Sequence, residues 1–179
     1  GGGARRALAR TQLTKTDRAC KSDQAAGKGC ALESGAFLAP VHPVNQNPPR
    51  ALERDRELIT RLDDLGYDEA WIGEHHSAGY EIIASPEVFI AVASQRTKNI
   101  RLGTGVSSLP YHQPLILADR MVLLDHLTRG RLMFRVGPGA LPSDAFMMGI
   151  DTSRQRAMTE ESLEASLQLH RGDRTVHVQ

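Results

Sequence analysis

Trp71-Ile72-Gly73-Glu74-His75-His76-Ser77 (WIGEHHS) compresses a change of chemistry into one short stretch. An apolar run from Ala70 to Gly73, built like a buried strand, ends in a carboxylate and two imidazoles before the chain turns. Upstream, residues 51–66 (ALERDRELITRLDDLG) set Leu58, Ile59, Leu62 and Leu65 at three- and four-residue spacing, put charges on the other face and close with Gly66, which predicts an amphipathic helix. Downstream, Ser85-Pro86-Glu87 reads as a helix start. The Ser can accept from orphan amides, the Pro forfeits no bond at the first position, and the Glu suits the positive end of the dipole. The strand is therefore flanked by two helices.

The same rhythm runs along the chain. Gly35-Ala36-Phe37-Leu38-Ala39 is a short strand stopped by Pro40, and Pro43, Pro48 and Pro49 mark a loop. Arg101 to Leu109 reads as a strand with Gly103 and Gly105 where something approaches its backbone, and Pro110 ends it. Residues 113–130 form a helix with Leu117, Met121 and Leu124 on one face, residues 131–136 (RLMFRV) a fourth strand, and Arg156 to His170 a last helix with Leu163 and Leu167 inward. Strand starts near 36, 69, 101 and 131 are spaced as repeated βα units are, which predicts an α/β fold with a parallel sheet. Periodicity alone leaves an open doubly wound sheet and half of a barrel equally possible.

Composition narrows the function classes. The chain has 179 residues, 40% hydrophobic and 24% charged, and no run of the roughly 18 apolar residues that span a membrane. A net charge of +1 and the lack of a basic stripe interleaved with aromatics argue against nucleic acid as a partner. Residues 1–34 differ in kind: seven Arg or Lys stand against three Asp or Glu, with no aromatic residue and no period. Such a segment cannot offset its ordering entropy and is expected to be a disordered extension, the folded part being 35–179. Both cysteines, Cys20 and Cys30, lie in it, so neither a disulfide framework nor a cysteine metal site is expected. No apolar export signal is seen, and a cytoplasmic location is the default expectation.

In parallel βα folds the reacting groups gather at the carboxyl ends of the strands. Glu74, His75 and His76 stand there. Successive strand side chains point to opposite faces, so His75 and His76 do not readily share one metal ion, whereas Glu74 and His76 share a face; no metal is expected. An imidazole beside a carboxylate suits acid–base work near neutral pH, the alternative being a loop histidine bonded to backbone. In residues 103–114 (GTGVSSLPYHQP), Gly103 and Gly105 let a flat ligand approach and Ser107 and Ser108 offer hydroxyls; tight packing within a sheet is the alternative. The Gly137-Pro138-Gly139 loop lacks both the P-loop Lys and the G-x-G-x-x-G spacing, and Tyr80, Tyr111, His112 and Gln113 read as rim or packing residues.

Taken together, GAFLAPVHP, LGYDEAWIGEHH, SPEVFIA, IRLGTGVSSLPYHQPLILADRMVLLDHLTRGRLMF and GPGALPSDAFMMGID resemble the amino-terminal half of the bacterial luciferase-like flavin monooxygenases, over residues 35 to 172. The resemblance implies a (βα)8 TIM barrel, here an incomplete one of about four βα units. It implies reduced FMN supplied by a separate flavin reductase, and dioxygen captured as a flavin C4a-peroxide. One oxygen atom would pass to a small apolar organic substrate, the expected case being the double bond of limonene or a related monoterpene. It also implies a homo-oligomer. By the same resemblance His75 is the active-site histidine facing the flavin, Glu74 orients or charge-balances the site, and Gly105-Val106 forms a non-prolyl cis peptide under the isoalloxazine. Ser107 and Gly137 complete the expected cofactor contacts.

The departures carry their own expectations. Gly137 and Pro138 replace a reactive Cys and a phosphate-contacting Arg of luciferase itself, so neither role carries over. Arg135 stands where such strands usually have Gly, a large cation aimed at a crowded layer without an evident partner. A half-barrel leaves edges and interior uncovered, so in isolation it is expected to bind FMN weakly or not at all unless a second copy or a missing half completes it. The competing expectations are an F420-dependent reductase of the same fold, a non-catalytic flavin-binding or subunit-interaction module, and a Rossmann-like domain, which lacks its glycine fingerprint here.

Overall fold

A computed structural model describes residues 33–77 and 79–172 of the chain. The expectations for residues 1–32, the two cysteines included, lie outside the described residues.

Four parallel strands form the sheet: β1 (Gly35–Leu38), β2 (Glu69–Ile72), β3 (Arg101–Thr104) and β5 (Leu132–Met133), side by side in chain order. The helices between them are α1 (Pro48–Asp64), α2 (Pro86–Ser94) and α3 (Pro114–Thr128). Two further helices follow, the short α4 (Pro142–Met147) and the long α5 (Gln155–Arg171), which packs on α3. Strand order never reverses, so the sheet has no switch point of the doubly wound kind.

Side-chain alternation decides the rest. Ala70, Ile72 and Leu102 point to one face and pack with Ile59 and Leu62 of α1, Ile90 and Ala93 of α2 and Leu124 of α3 in one buried cluster. The opposite face carries Phe37, Trp71 and Gly103, aligned in register across three strands, and Phe37 is 62% exposed. Helices on one face and an open aromatic layer on the other are the arrangement of a barrel arc seen from its interior. The half-barrel expectation stands, and the doubly wound alternative falls.

Several local expectations are corrected. Of the anticipated helix contacts, Ile59 and Leu62 are buried, but Leu58 and Leu65 face solvent, because the inward turn of α1 is completed by Ala51 and Asp55. In α5 the inward positions are Ser162, Ala165 and Ser166, small enough for close approach, and Leu163 is exposed. Ser85 precedes α2 as expected but caps no amide; its hydroxyl donates to Glu87 at 2.9 Å. The single strand expected over 131–136 is two, β5 and β6 (Val136–Gly137), and β6 pairs in a separate small sheet with β4 (Ser107–Ser108). Between them the Thr104 hydroxyl donates to the Arg135 carbonyl (2.8 Å) and accepts from the Arg135 amide (3.2 Å), so a side chain stands where a ladder partner would. No helix among the described residues is long and apolar enough to cross a membrane.

Candidate active site

The carboxyl ends of β2 and β3 and the loop after β6 meet around two buried carboxylates. Glu74 extends from the end of β2 with its side chain wholly buried. Its Oε1 faces His76 Nε2 at 2.8 Å and His112 Nε2 at 3.1 Å, and its Oε2 accepts the Ser108 amide at 3.0 Å. Burial pushes this carboxyl up, but the bonds from His112 and His76, the charge of His112 and the Ser108 amide outweigh it and hold it below the ordinary carboxylate range. His76 moves the opposite way. Its bond to Glu74 raises its pKa against the opposing effect of burial, with the charges of Glu74, Asp144 and Glu87 adding to the rise. The ring also meets Tyr111 edge-on, centroids 5.7 Å apart.

The second carboxylate is Asp144, on α4 and 1% exposed. Its Oδ2 lies 3.2 Å from His75 Nδ1 and its Oδ1 accepts the His76 amide at 3.2 Å. Burial raises this group too, and bonds from Ser77, His75 and the His76 amide reverse the effect and leave it depressed. On its other side His75 Nε2 is 3.8 Å from Glu81, whose Oε2 is buried without a partner. The His75 amide donates to Ile83 O at 3.2 Å, which holds the 80–83 segment alongside the ring.

Alternation therefore sorts the three residues as expected: Glu74 shares a face with His76, and His75 points away to a different carboxylate. The His75 side chain is 23% exposed against 13% for His76 and 12% for His112, which makes it the most open imidazole of the cluster. Glu74 does not reach His75. Its contacts tie the end of β2 to the segment that follows β3.

That segment holds the other anticipated positions. The Gly105–Val106 peptide is cis, and the Gly105 amide donates to Ile72 O at 2.6 Å. Ser107 pairs with Val136 and Ser108 with Gly137. The Ser107 hydroxyl is buried with no partner. The glycines make room for the chain's own side chains: a Cβ at Gly103 would meet Trp71 at 2.5 Å, one at Gly105 would meet Phe37 at 3.0 Å, and one at Gly137 would meet Val106 at 2.9 Å. Tight packing within the sheet thus accounts for Gly103. Gly139, at φ +87°, carries the backbone past the Tyr111 hydroxyl, which accepts from Gln155 at 3.1 Å.

Arg135, without a partner in the sequence reading, has one in the structure. Its guanidinium lies 4.1 Å over the Trp71 ring, on the open face of the sheet. Asp144 and Glu81 were not anticipated. Asp144 carried a legible signal, a carboxylate shortly after a strand, at the same end as His75. Glu81 carried none, because its place depends on an antiparallel bridge to Val41.

A parallel βα arc with helices on one face and a histidine–carboxylate cluster at its strand ends is the architecture of an α/β-barrel protein. The chain belongs to the luciferase-like monooxygenases: that family's model matches residues 32–178. It is 54% identical over 145 residues to the 4-hydroxyprotoasukamycin monooxygenase of Streptomyces nodosus subsp. asukaensis, covering 81% of this chain and 39% of the relative. It is 52% identical over 142 residues to the limonene 1,2-monooxygenase of Rhodococcus erythropolis, covering 79% and 37%. The chain thus spans about two fifths of the length of these curated relatives. Among solved structures, the oxygenating constituent of 3,6-diketocamphane monooxygenase from Pseudomonas putida, in complex with FMN, superposes with a TM-score of 0.73 at 29% identity, over 78% of this chain and 40% of that one. An F420-dependent tetrahydromethanopterin reductase from Methanopyrus kandleri matches at TM-score 0.55 and 22% identity, a likeness of fold alone. The chain is therefore part of a flavin-dependent oxygenase family, and the reductase alternative is not favoured.

Proposed function

We propose that this chain carries the acid–base and flavin-facing side of an FMNH2-dependent monooxygenase that uses O2 to oxygenate a small apolar organic molecule. The observation that carries the reading is His75, the most open imidazole of the cluster, held at a strand end between Asp144 and Glu81. His75 holds or delivers a proton at the reacting position. Glu74 acts one step removed, fixing His76, His112 and the Ser108 amide. Bound reduced flavin would supply the oxygen-activating chemistry.

The residues fit such a group. Gly105 lies against Phe37 and Trp71 and Val106 against Gly137, and the buried Ser107 hydroxyl, without a partner, is a donor for such a group. A relative captured with FMN supports the cofactor, and the similarity to limonene 1,2-monooxygenase supports a terpene-like alkene as substrate. A separate flavin reductase and a cytoplasmic location complete the proposal. The test couples the chain to a flavin reductase and follows oxygenated product from limonene. Product that disappears in His75→Ala supports the reading, and turnover unchanged by that substitution overturns it.

A further inference from the structure

Arg135 is absorbed by none of this. Its backbone is fixed on both sides, the amide and carbonyl by the Thr104 hydroxyl and the carbonyl also by the Ser107 amide at 2.9 Å. The side chain is thereby launched from opposite the Thr104–Ser107 segment onto the open sheet face. There it is exposed, and its guanidinium rests 4.1 Å over Trp71. Trp71 is itself pinned, flat against Gly103 and with its indole N–H donated to Glu69 at 2.9 Å. Arg101, on the same face nearer the strand starts, is neutralised by Glu69 at 2.7 Å and Glu33 at 2.8 Å. Arg135 has no carboxylate partner among the described residues. The strand-end carboxylates Glu74 and Asp144 are committed to imidazoles and amides. A guanidinium stacked on an aromatic ring keeps its edge N–H groups free and pre-aligned, the geometry that takes an anionic oxygen or nitrogen in fork fashion.

We propose that Arg135 is an anion-binding residue of the flavin-facing surface, taking the negatively charged part of FMN. This inference rests on the flavin reading above. Two parts of that ligand carry the required charge, the ring in its reduced form and the phosphate. Arg135 is exposed, so replacing it leaves the packed core intact.

The chain has a single tryptophan, and it is the one under Arg135, so its emission reports occupancy of this face. Trp71 fluorescence is titrated with FMN and riboflavin, each oxidised and, under anaerobic conditions, reduced, in the wild-type chain, Arg135→Gln and Arg135→Lys. The expected result is weak but saturable quenching by FMN in the wild type, as an open arc or its self-associated form would give, an affinity about tenfold weaker again in Arg135→Gln, and partial recovery in Arg135→Lys. A loss confined to the reduced forms of both flavins places the contact on the ring; a loss for FMN in both redox states, with riboflavin unaffected, places it on the phosphate. Equal affinities in the wild type and Arg135→Gln overturn the inference and leave the flavin reading intact. Absence of quenching by any of the four ligands in the wild type overturns both.

Discussion

Glu74 shows how one buried carboxylate organises a site by being shared. Two imidazoles and one amide, from three places in the chain, converge on it. The bond to Glu74 is the largest cause of the raised pKa of His76, so removing the Glu74 charge should release it. In Glu74→Gln the His76 ring is expected to titrate back near the ordinary imidazole value of about 6.5, visible by NMR. An unshifted His76 would refute the pairing. The sign of the stability effect follows from linkage. The depressed Glu74 stabilises the fold above the ordinary carboxylate pKa and loses that contribution as pH falls through its folded value. The raised His76 stabilises below the ordinary imidazole pKa and loses its contribution as pH rises through its folded value. The pair therefore contributes most between roughly pH 4.5 and 6.5. The gap in urea midpoint between wild type and Glu74→Gln should be wider at about pH 5.5 than at about pH 8.5.

The grouping of Glu74 with His76 could be read from strand alternation alone. What the sequence could not show was the cross-chain partner. Asp144 lies 69 positions from His75, and only a folded sheet brings α4 over the end of β2.

At the scale of elements, the βα repeats were legible because each helix and strand carries its own period and stop signal. The faces were less so, since spacing fixes a stripe but not its width. Small residues define the inward face of α5, and apolarity alone would have chosen Leu163 instead. The split of β5 from β6 was illegible because it depends on the Thr104 hydroxyl, one polar group in a neighbouring strand. One device between elements is decisive for register. Asp63, in the last turn of α1, accepts the amides of Lys98 (2.6 Å), Asn99 (2.9 Å) and Ile100 (2.7 Å), and so clamps the loop that feeds β3. Burial raises this carboxyl, and the three amides with the nearby Arg131 charge bring it below the ordinary range. Asp63→Ala leaves three amides without their acceptor and is expected to cost about 3 kcal/mol in chemical denaturation. A loss below about 0.5 kcal/mol would show that water replaces the clamp freely. Gly103→Ala tests the sheet face in the same way. Its methyl has no room beside Trp71, and a loss of about 1–3 kcal/mol with a shifted tryptophan emission is expected.

The whole molecule is governed by an imbalance between its two sheet faces. One is sealed by α1, α2 and α3; the other displays Phe37 and Trp71 in register, with Arg135 laid across the indole. The outer edges of β1 and β5 have no strand partner among the described residues. Exposed aromatic surface in line with free strand edges is what other polypeptide covers in stable folds, whether more βα units or another copy. For the described residues a second copy can supply that cover, so self-association is the expected state. A stable interface needs about 800 Å² from each partner, and the open face is where apolar area for it is found. Light scattering during size exclusion at tens of micromolar should give a mass of at least two chains, and Phe37→Ser should shift it toward one. Phe37 is already 62% exposed, so the substitution removes little from the buried core and a change in mass would report on association rather than unfolding. A wild-type chain that stays monomeric, with a sharp cooperative melt, would show that the open face is tolerated in water and that the arc is stable without cover.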